Sequence, residues 1–353
     1  MHTEAVTARP PGMADVATRA GVSHQTVSRV INGHPSVAPQ TRERVRQAIS
    51  ELGYRPNAAA RALVTGSTRT IGLVTVNPNQ YGPAQTMVGL ERAARDAGYG
   101  LSVTILDGAT AEEMREAVET FVSHSVDAVV AQSTYDAPAE ALSALEAPVP
   151  IVAVQVGGAE DRPAVGVDQV AGARLATRHL LGLGHRTVHH VTGPADSKEA
   201  RSRIEGWRAE LAAAGAPPPQ TVGGDWTAAS GHAAGRLLLE RMDGGEEVTA
   251  VFAANDQMAL GILAALHEAG LKIPDQVSVV GFDDLPESPY FFPPLTTVRQ
   301  DFAELGRRGV RLVLDRLAGD NPHPEPVLPT LEVRASTTAP PRSPARPQTT
   351  NGT

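Results

Sequence analysis

The sequence predicts an α/β protein: a small helix-turn-helix head, a short hinge helix, and a doubly wound body of two similar lobes. Three observations carry that expectation. Nine Arg and four acidic residues give residues 1–70 a charge of +5, while the whole chain carries −8. The stretch "GVSHQTVSRVIN" places Ser, His, Gln, Thr, Arg and Asn on a helical frame at residues 21–32. From Thr70 onward, strand-sized apolar runs alternate with amphipathic helical stretches, the pattern of a parallel sheet covered on both faces.

The head reads as three helices. "MADVATRA" puts Val16, Ala17 and Ala20 on one face, and Gly21 can take the left-handed conformation that ends a helix. Ser23 suits an N-cap for a second helix over His24–Ile31, with Val27, Val30 and Ile31 inward and His24, Gln25, Ser28 and Arg29 outward. Pro39 opens a third helix that runs to Gly53 on a stripe of Val45, Ile49 and Leu52. In such a unit the N-terminal residues of the second helix face base edges in the major groove. His24, Gln25 and Arg29 occupy base-reading positions; Gln pairs bidentately with adenine and Arg with guanine. Ser23, Thr26, Ser28, Asn32 and Tyr54 suit phosphate contacts, which fix register without reading sequence. A polar helix face taken alone reads equally as a solvated surface.

Asn57 can cap a helix over Ala58–Leu63 of about two turns, too short to persist unaided. It reads as a hinge that orders on DNA beside its twin, with Leu63 as a wedge in the minor groove, or else as an inert linker.

In the body the expected strands are 71–76, 101–106, 127–131, 150–154, 187–191, 249–253 and 277–281, and the expected helices are 85–97, 111–124, 171–183, 198–214, 228–241, 256–269 and 302–317. Gln132, Gln155, Asn255-Asp256 and Asp283-Asp284 fall at or just past strand ends, where open α/β sheets bind ligands. Amides and carboxylates suit a hydroxyl-rich ligand, and Trp226 and Phe302 can offer it apolar faces.

Several function classes are excluded. No dinucleotide fingerprint, phosphate-binding loop, nucleophile elbow or zinc-protease motif is present, so no catalytic residue and no cofactor is expected. With no cysteine there is no thiol chemistry or disulfide framework. Asp283-Asp284 and the four histidines between 179 and 190 could suggest metal, but neighbours on a strand face opposite ways, so no metal site is expected. No apolar run approaches membrane length and residues 1–12 lack a signal's apolar core, so a cytoplasmic protein is expected.

Taken together, "DVATRAGVSHQTVSRVIN", "ELGYRPNAAARAL", "LGHRTV", "GDWTAASG", "AANDQMALGILAAL" and "VSVVGFDDLPESPYFFPPLTTVRQDFAELG" resemble the lactose repressor (LacI) family of bacterial transcription regulators, over about Met13 to Arg334. The resemblance implies a periplasmic-binding-protein-like effector domain of two lobes joined by three crossing strands, and a homodimer. It implies double-stranded operator DNA and a sugar or glycoside as partners. It implies base contacts at His24, Gln25 and Arg29, hinge contacts at Ala60 and Leu63, polar sugar contacts at Arg203, Asn255, Asp283 and Gln300, stacking at Trp226 and an apolar wall at Phe302. Gln155, Gln132, His24, Glu199 and Val167 depart from the Asp, Asn, Tyr, Ser and Phe of the family's eponymous member, which argues for a different sugar and a different operator base.

The expected boundaries are a disordered N-terminus at 1–12, the head at 13–56, hinge helix and linker at 57–68, an effector-binding and dimerisation domain at 69–334 and a disordered tail at 335–353. The first lobe should take about 69–166 and 298–326, the second about 167–297 and 327–334. The function expected is a transcriptional regulator, a repressor of sugar-utilisation genes released from a palindromic operator by sugar between the lobes. A corepressing sugar stays open, as does a sugar-binding enzyme or receptor with an appended DNA-binding head.

Overall fold

The computed structural model describes residues 9–341 except 32, 56–61, 64, 77, 107–109, 133–134, 136–144 and 155–162. It divides into two compact units, Met1–Thr68 and Arg69–Thr353.

The first unit holds α1 (Met13–Ala20), α2 (His24–Ile31) and α3 (Pro39–Leu52). Gly21 ends α1 at φ 63°, a conformation that costs glycine little. Ser23 then starts α2, its Oγ accepting from the Thr26 backbone N–H at 3.2 Å. Val16, Val27 and Val45 are fully enclosed at the centre, with Ala17, Ala20, Val30 and Ala48 around them. Ile31, Ile49 and Leu52, expected to point inward, are only half-buried, and on α3 Ala48 joins Val45 as a buried residue. Arg19 donates to Glu51 at 2.7 Å, tying α1 to α3.

The second unit is built on two sheets. The first has five parallel strands in the order β2-β1-β3-β4-β5: β1 Thr70–Val76, β2 Gly100–Leu106, β3 Ala128–Gln132, β4 Ile151–Val154 and β5 Ala164–Val165. Its faces are covered by α4 (Tyr81–Asp96), α5 (Ala111–Ser123) and α10 (Phe302–Leu317). The second sheet runs β11-β10-β9-β8-β6-β7, with β6 His189–Thr192, β7 Val222–Gly223, β8 Ala250–Ala253, β9 Ser278–Asp283, β10 Thr296–Arg299 and β11 Thr330–Glu332. Only the β10–β11 pair is antiparallel. Around it pack α6 (Gln169–Gly182), α7 (Lys198–Ala213), α8 (Ala228–Asp243) and α9 (Asp256–Glu268). Strands β3, β4, β6, β8 and β9 are buried throughout, as strands sandwiched between helices must be, whereas edge strand β2 is largely open.

The chain passes between the sheets three times. After β5 it enters α6; Gln300 and Asp301 link β10 to α10; Val327 bridges Val167 on the way to β11. Strand β10 belongs wholly to the second sheet, so the second passage falls after Arg299, within two residues of the expected boundary. At the strand-to-helix junctions the helices are capped by side chains: Asp168, Ser197, Thr227, Asn255 and Asp301 each accept a first-turn backbone N–H. Those caps set helix N-termini beside strand C-termini along one edge.

The expected disordered tail begins too early. Ser336 is fully buried; its Oγ donates to the Val279 carbonyl at 2.6 Å and accepts from the Thr296 N–H at 2.8 Å. Thr338 donates its N–H to Ser278 Oγ at 3.0 Å, and the Thr338 carbonyl lies 2.9 Å from His185 Nε2. Of the residues that made this stretch read as disordered, Ser336 bonds backbone groups of the second sheet, and Thr337 Oγ1 lies 2.9 Å from His179 Nε2 and 3.2 Å from Thr296 Oγ1. Among the described residues no helix is long and apolar enough to cross a membrane.

Candidate functional site

In the head, α2 presents His24, Gln25 and Arg29 to solvent on one side while Val27 and Val30 fill the core on the other. The helical period alone produces that division. Thr26 and Ser28 are half-buried, and Thr26 Oγ1 lies 2.9 Å from Ser23 Oγ. Tyr54, expected at a phosphate, packs into the head's core with the residue 8% exposed. Asn32, Asn57 and Ala60 lie outside the described residues. Leu63 is 89% exposed, an unusual position for a large apolar side chain.

In the body, a narrow cavity of about 20 Å³ lies where strand ends and helix starts of the two lobes meet. Its lining combines Gln80, Tyr81, Gly82 and Pro83 from the first lobe with Glu199, Arg203, Trp226, Asn255, Gln257 and Asp283 from the second, and Gln300 from the second passage. Wider crevices elsewhere on the second lobe, such as the groove between α8 and α9 at Arg236 and Glu268, bring together none of the expected ligand residues.

Arg203 sits at the centre, its side chain 2% exposed. Its Nε donates to Gln169 Oε1 at 3.0 Å and its Nη1 to the Ala254 carbonyl. The guanidinium lies 3.8 Å from the Phe282 ring centroid and 5.3 Å from that of Trp226. Its Nη2 lies 3.7 Å from Asp283 and 3.8 Å from Glu199. Gln300 donates to Asp283 at 2.6 Å and accepts from Gln169 at 2.9 Å, so one polar chain joins two of the three passages. Asn255 both caps α9 and donates to the Trp226 carbonyl at 3.0 Å.

Three side chains here stand on left-handed backbone: Trp226 at φ 74°, Asp283 at φ 109° and Asp284 at φ 53°. Each such residue costs about 1–3 kcal/mol and persists only where its surroundings fix it, which is common at ligand sites. Gly193 makes room for the indole, since a Cβ there would lie 2.3 Å from the Trp226 ring. Asp283 and Asp284 do diverge: the first faces Gln300, the second pairs with Arg299 and Arg334 at 2.7 and 2.6 Å.

Burial dominates the electrostatics. It raises Asp283 to about 6, against the pull of Arg203 and Gln300. It raises Glu199 to about 7, with Arg203 opposing and Asp283 reinforcing. It raises Asp256 to about 7, although Ser288, Thr297 and the Leu285 N–H all donate to that carboxylate. Asp256, expected at the ligand edge, is fully enclosed and holds the 285–288 turn against β10.

Two expected sugar contacts stand behind the lining. Gln132 donates to the Pro83 carbonyl at 2.9 Å and accepts from Thr75, so it holds the turn that carries the first-lobe lining. Phe302 meets Tyr81 edge-on, ring centroids 5.8 Å apart, and supports that ring. Gln155 lies outside the described residues. Sequence reading missed Gln80, Tyr81, Gln257 and Gln169. Tyr81-Gly82-Pro83 reads as loop, yet it forms the first turn of α4, where proline's missing N–H is not needed.

Residues 12–57 match the model of bacterial regulatory proteins, lacI family, and residues 177–337 match that of a periplasmic binding protein-like domain. The chain is 33% identical to the lactose operon repressor of Escherichia coli K12, over 95% of this chain and 92% of that protein. It is 38% identical to the transcriptional regulator CelR of Thermobifida fusca, over 90% of this chain and 94% of that one. A lac repressor dimer bound to operator and the anti-inducer ONPF superimposes with a TM-score of 0.82 at 33% identity, covering 94% of this chain and all of that chain. A CelR–cellobiose complex superimposes at 0.68 and 35% identity, covering 92% and 99%.

Proposed function

This chain belongs to the lacI family of bacterial regulatory proteins, and on that premise we propose that a sugar or glycoside bound by Arg203, Trp226, Asn255, Asp283 and Gln300 releases it from its operator. It is a DNA-binding transcriptional regulator and not an enzyme. The observation that carries the sugar reading is the buried polar chain Gln169–Gln300–Asp283 beside Arg203, closed on one side by an indole. A hydroxyl-rich ring needs donors and acceptors at its edge and an apolar plane at its face, and this cleft supplies both.

The protein works in the cytoplasm as a homodimer. Apolar patches on both lobes support a second copy: Val103 and Ile105 on edge strand β2, and Leu260, Tyr290 and Phe292 on the second lobe, are all exposed. Two heads then read a near-palindrome. The hinge and linker reading of 57–68 is supported by Leu63, whose exposed apolar side chain suits a minor-groove wedge.

The test uses duplexes selected by the full-length protein from a random library. A near-palindrome should emerge, and a binding saccharide should weaken operator affinity by a coupling of about 1–3 kcal/mol. Asp283→Asn should lose that response while operator affinity persists, read by fluorescence anisotropy with and without sugar. A protein that no saccharide loosens would end the sugar reading.

Arg29→Ala tests the head separately. It should weaken the selected operator by about 1–3 kcal/mol and relax preference at one base pair per half-site, read by competition among single-substituted duplexes. A uniform loss across all duplexes would instead make Arg29 a phosphate contact.

A further inference from the structure

We propose that Glu199 is a specificity-determining residue of the cleft, one that selects a neutral, hydroxyl-bearing sugar and turns away phosphorylated or acidic ones. This rests on the sugar reading above and narrows it.

The charges in the lining are unbalanced. Among the described residues around the cavity only Glu199, Arg203 and Asp283 are charged, two carboxylates against one guanidinium. The guanidinium is already engaged by Gln169 and the Ala254 carbonyl and covered by two aromatic rings. A phosphate or carboxylate on the ligand would therefore meet two carboxylates against the one Arg203 Nη2 left to it among the described residues, and like charges that close repel strongly at low dielectric.

Two buried polar atoms lack a partner at the same place. Glu199 Oε1 has no donor, and Trp226 Nε1–H has no acceptor. The Glu199 side chain is 13% exposed and Trp226 8%. Neither vacancy serves the fold, because an unmade buried hydrogen bond is costly. A sugar hydroxyl, being a donor, can satisfy Oε1. An anionic substituent has acceptors only and can engage Glu199 only when that carboxyl keeps its proton.

Proton linkage supplies a signature. Burial holds free Glu199 near 7, so part of the population carries a proton at neutral pH. A hydroxyl donating to Oε1 stabilises the ionised form, so binding expels protons and affinity rises with pH through that range. The groups facing Glu199 are Arg203 one turn along α7 and Asp283 at the end of β9. Because Asp283 is also raised, to about 6, the substitution at Glu199 is what isolates its share.

The experiment is calorimetry on the full-length protein with lactose, cellobiose, ribose and the methyl glycosides of glucose and galactose. For each sugar that binds, its phosphate ester and its acid follow. The neutral parent should bind about ten- to a hundredfold tighter than either charged derivative. Repetition in buffers of different ionisation enthalpy should show proton release. Glu199→Gln, with Glu199→Ser as a second variant and unfolding midpoints as a check on folding, should shrink the discrimination and remove its part of the release. A charged derivative that binds the original protein as tightly as its neutral parent overturns the proposal and leaves the sugar reading standing, as does proton release unchanged in both variants. Failure of every sugar, neutral or charged, overturns both.

Discussion

Alanine in place of Arg203 is expected to cost about 3–5 kcal/mol of folding stability as well as the response to sugar. The guanidinium is buried, and it is the nearest cation to two buried carboxylates, Glu199 at 3.8 Å and Asp283 at 3.7 Å. Removing it strands both acids, leaves the Ala254 carbonyl and Gln169 without their donor, and opens a void against Phe282 and Trp226. The acids can answer by taking up protons, so the loss should shrink as pH falls from neutral toward 5. Denaturant titrations of the original chain and the variant across that range, with operator affinity measured beside them, check both parts. A variant as stable as the original at neutral pH would mean that Glu199 and Asp283 do not depend on Arg203.

Acidification should destabilise the second lobe through His190. Its ring is enclosed, stacks on Phe252 at 4.5 Å and donates Nδ1–H to the Phe252 carbonyl at 2.9 Å, while Nε2 has no partner. Burial lowers it to about 4, with the charges of Arg203 and Arg208 acting the same way. In the unfolded chain it titrates at its ordinary 6.5. Between those values the unfolded state binds more protons, so the contribution is complete above 6.5 and is lost as pH falls toward 4, about 3 kcal/mol in all. Burial lowers His179 and His185 as well, adding to the same slope. The raised carboxyls of Glu199, Asp256 and Asp283 act in the opposite sense, favouring the fold as pH falls through their range. Comparison with His190→Phe, which keeps the stack, isolates the histidine: the variant should lose less stability between 6.5 and 4. Parallel pH profiles for the two proteins would rule this assignment out.

Much of this architecture could be read from residue order, and the reasons are local. The seven body helices were legible because an apolar stripe and a Ser, Thr, Asn or Asp cap agree at most of them, as at Thr227 before α8 and Asn255 before α9. Strands β5 and β7 have two residues each, too few for any period to register. Strands β10 and β11, "TTVR" and "TLE", have little apolar content; in β10 Thr297 donates to Asp256 and Thr296 Oγ1 accepts from the Arg334 N–H. At the cleft, the strand-end rule drew attention to Asn255 and Asp283 but could not separate lining from support. That separation depends on which lobe Pro83 and Tyr81 approach, and no spacing within one lobe encodes it. Glu199 is four residues before Arg203, the interval of an ordinary surface ion pair on a helix, and only the burial of both distinguishes it.

The stretch that follows Arg334 sets where the gene can be trimmed or extended. A stop codon after Arg334 would strip the Thr296 N–H and the Val279 N–H and carbonyl of the partners they find at Ser336, and would uncover His185. Affinity handles and fluorescent fusions therefore must leave the stretch through Thr338 in place at the margin of the second sheet.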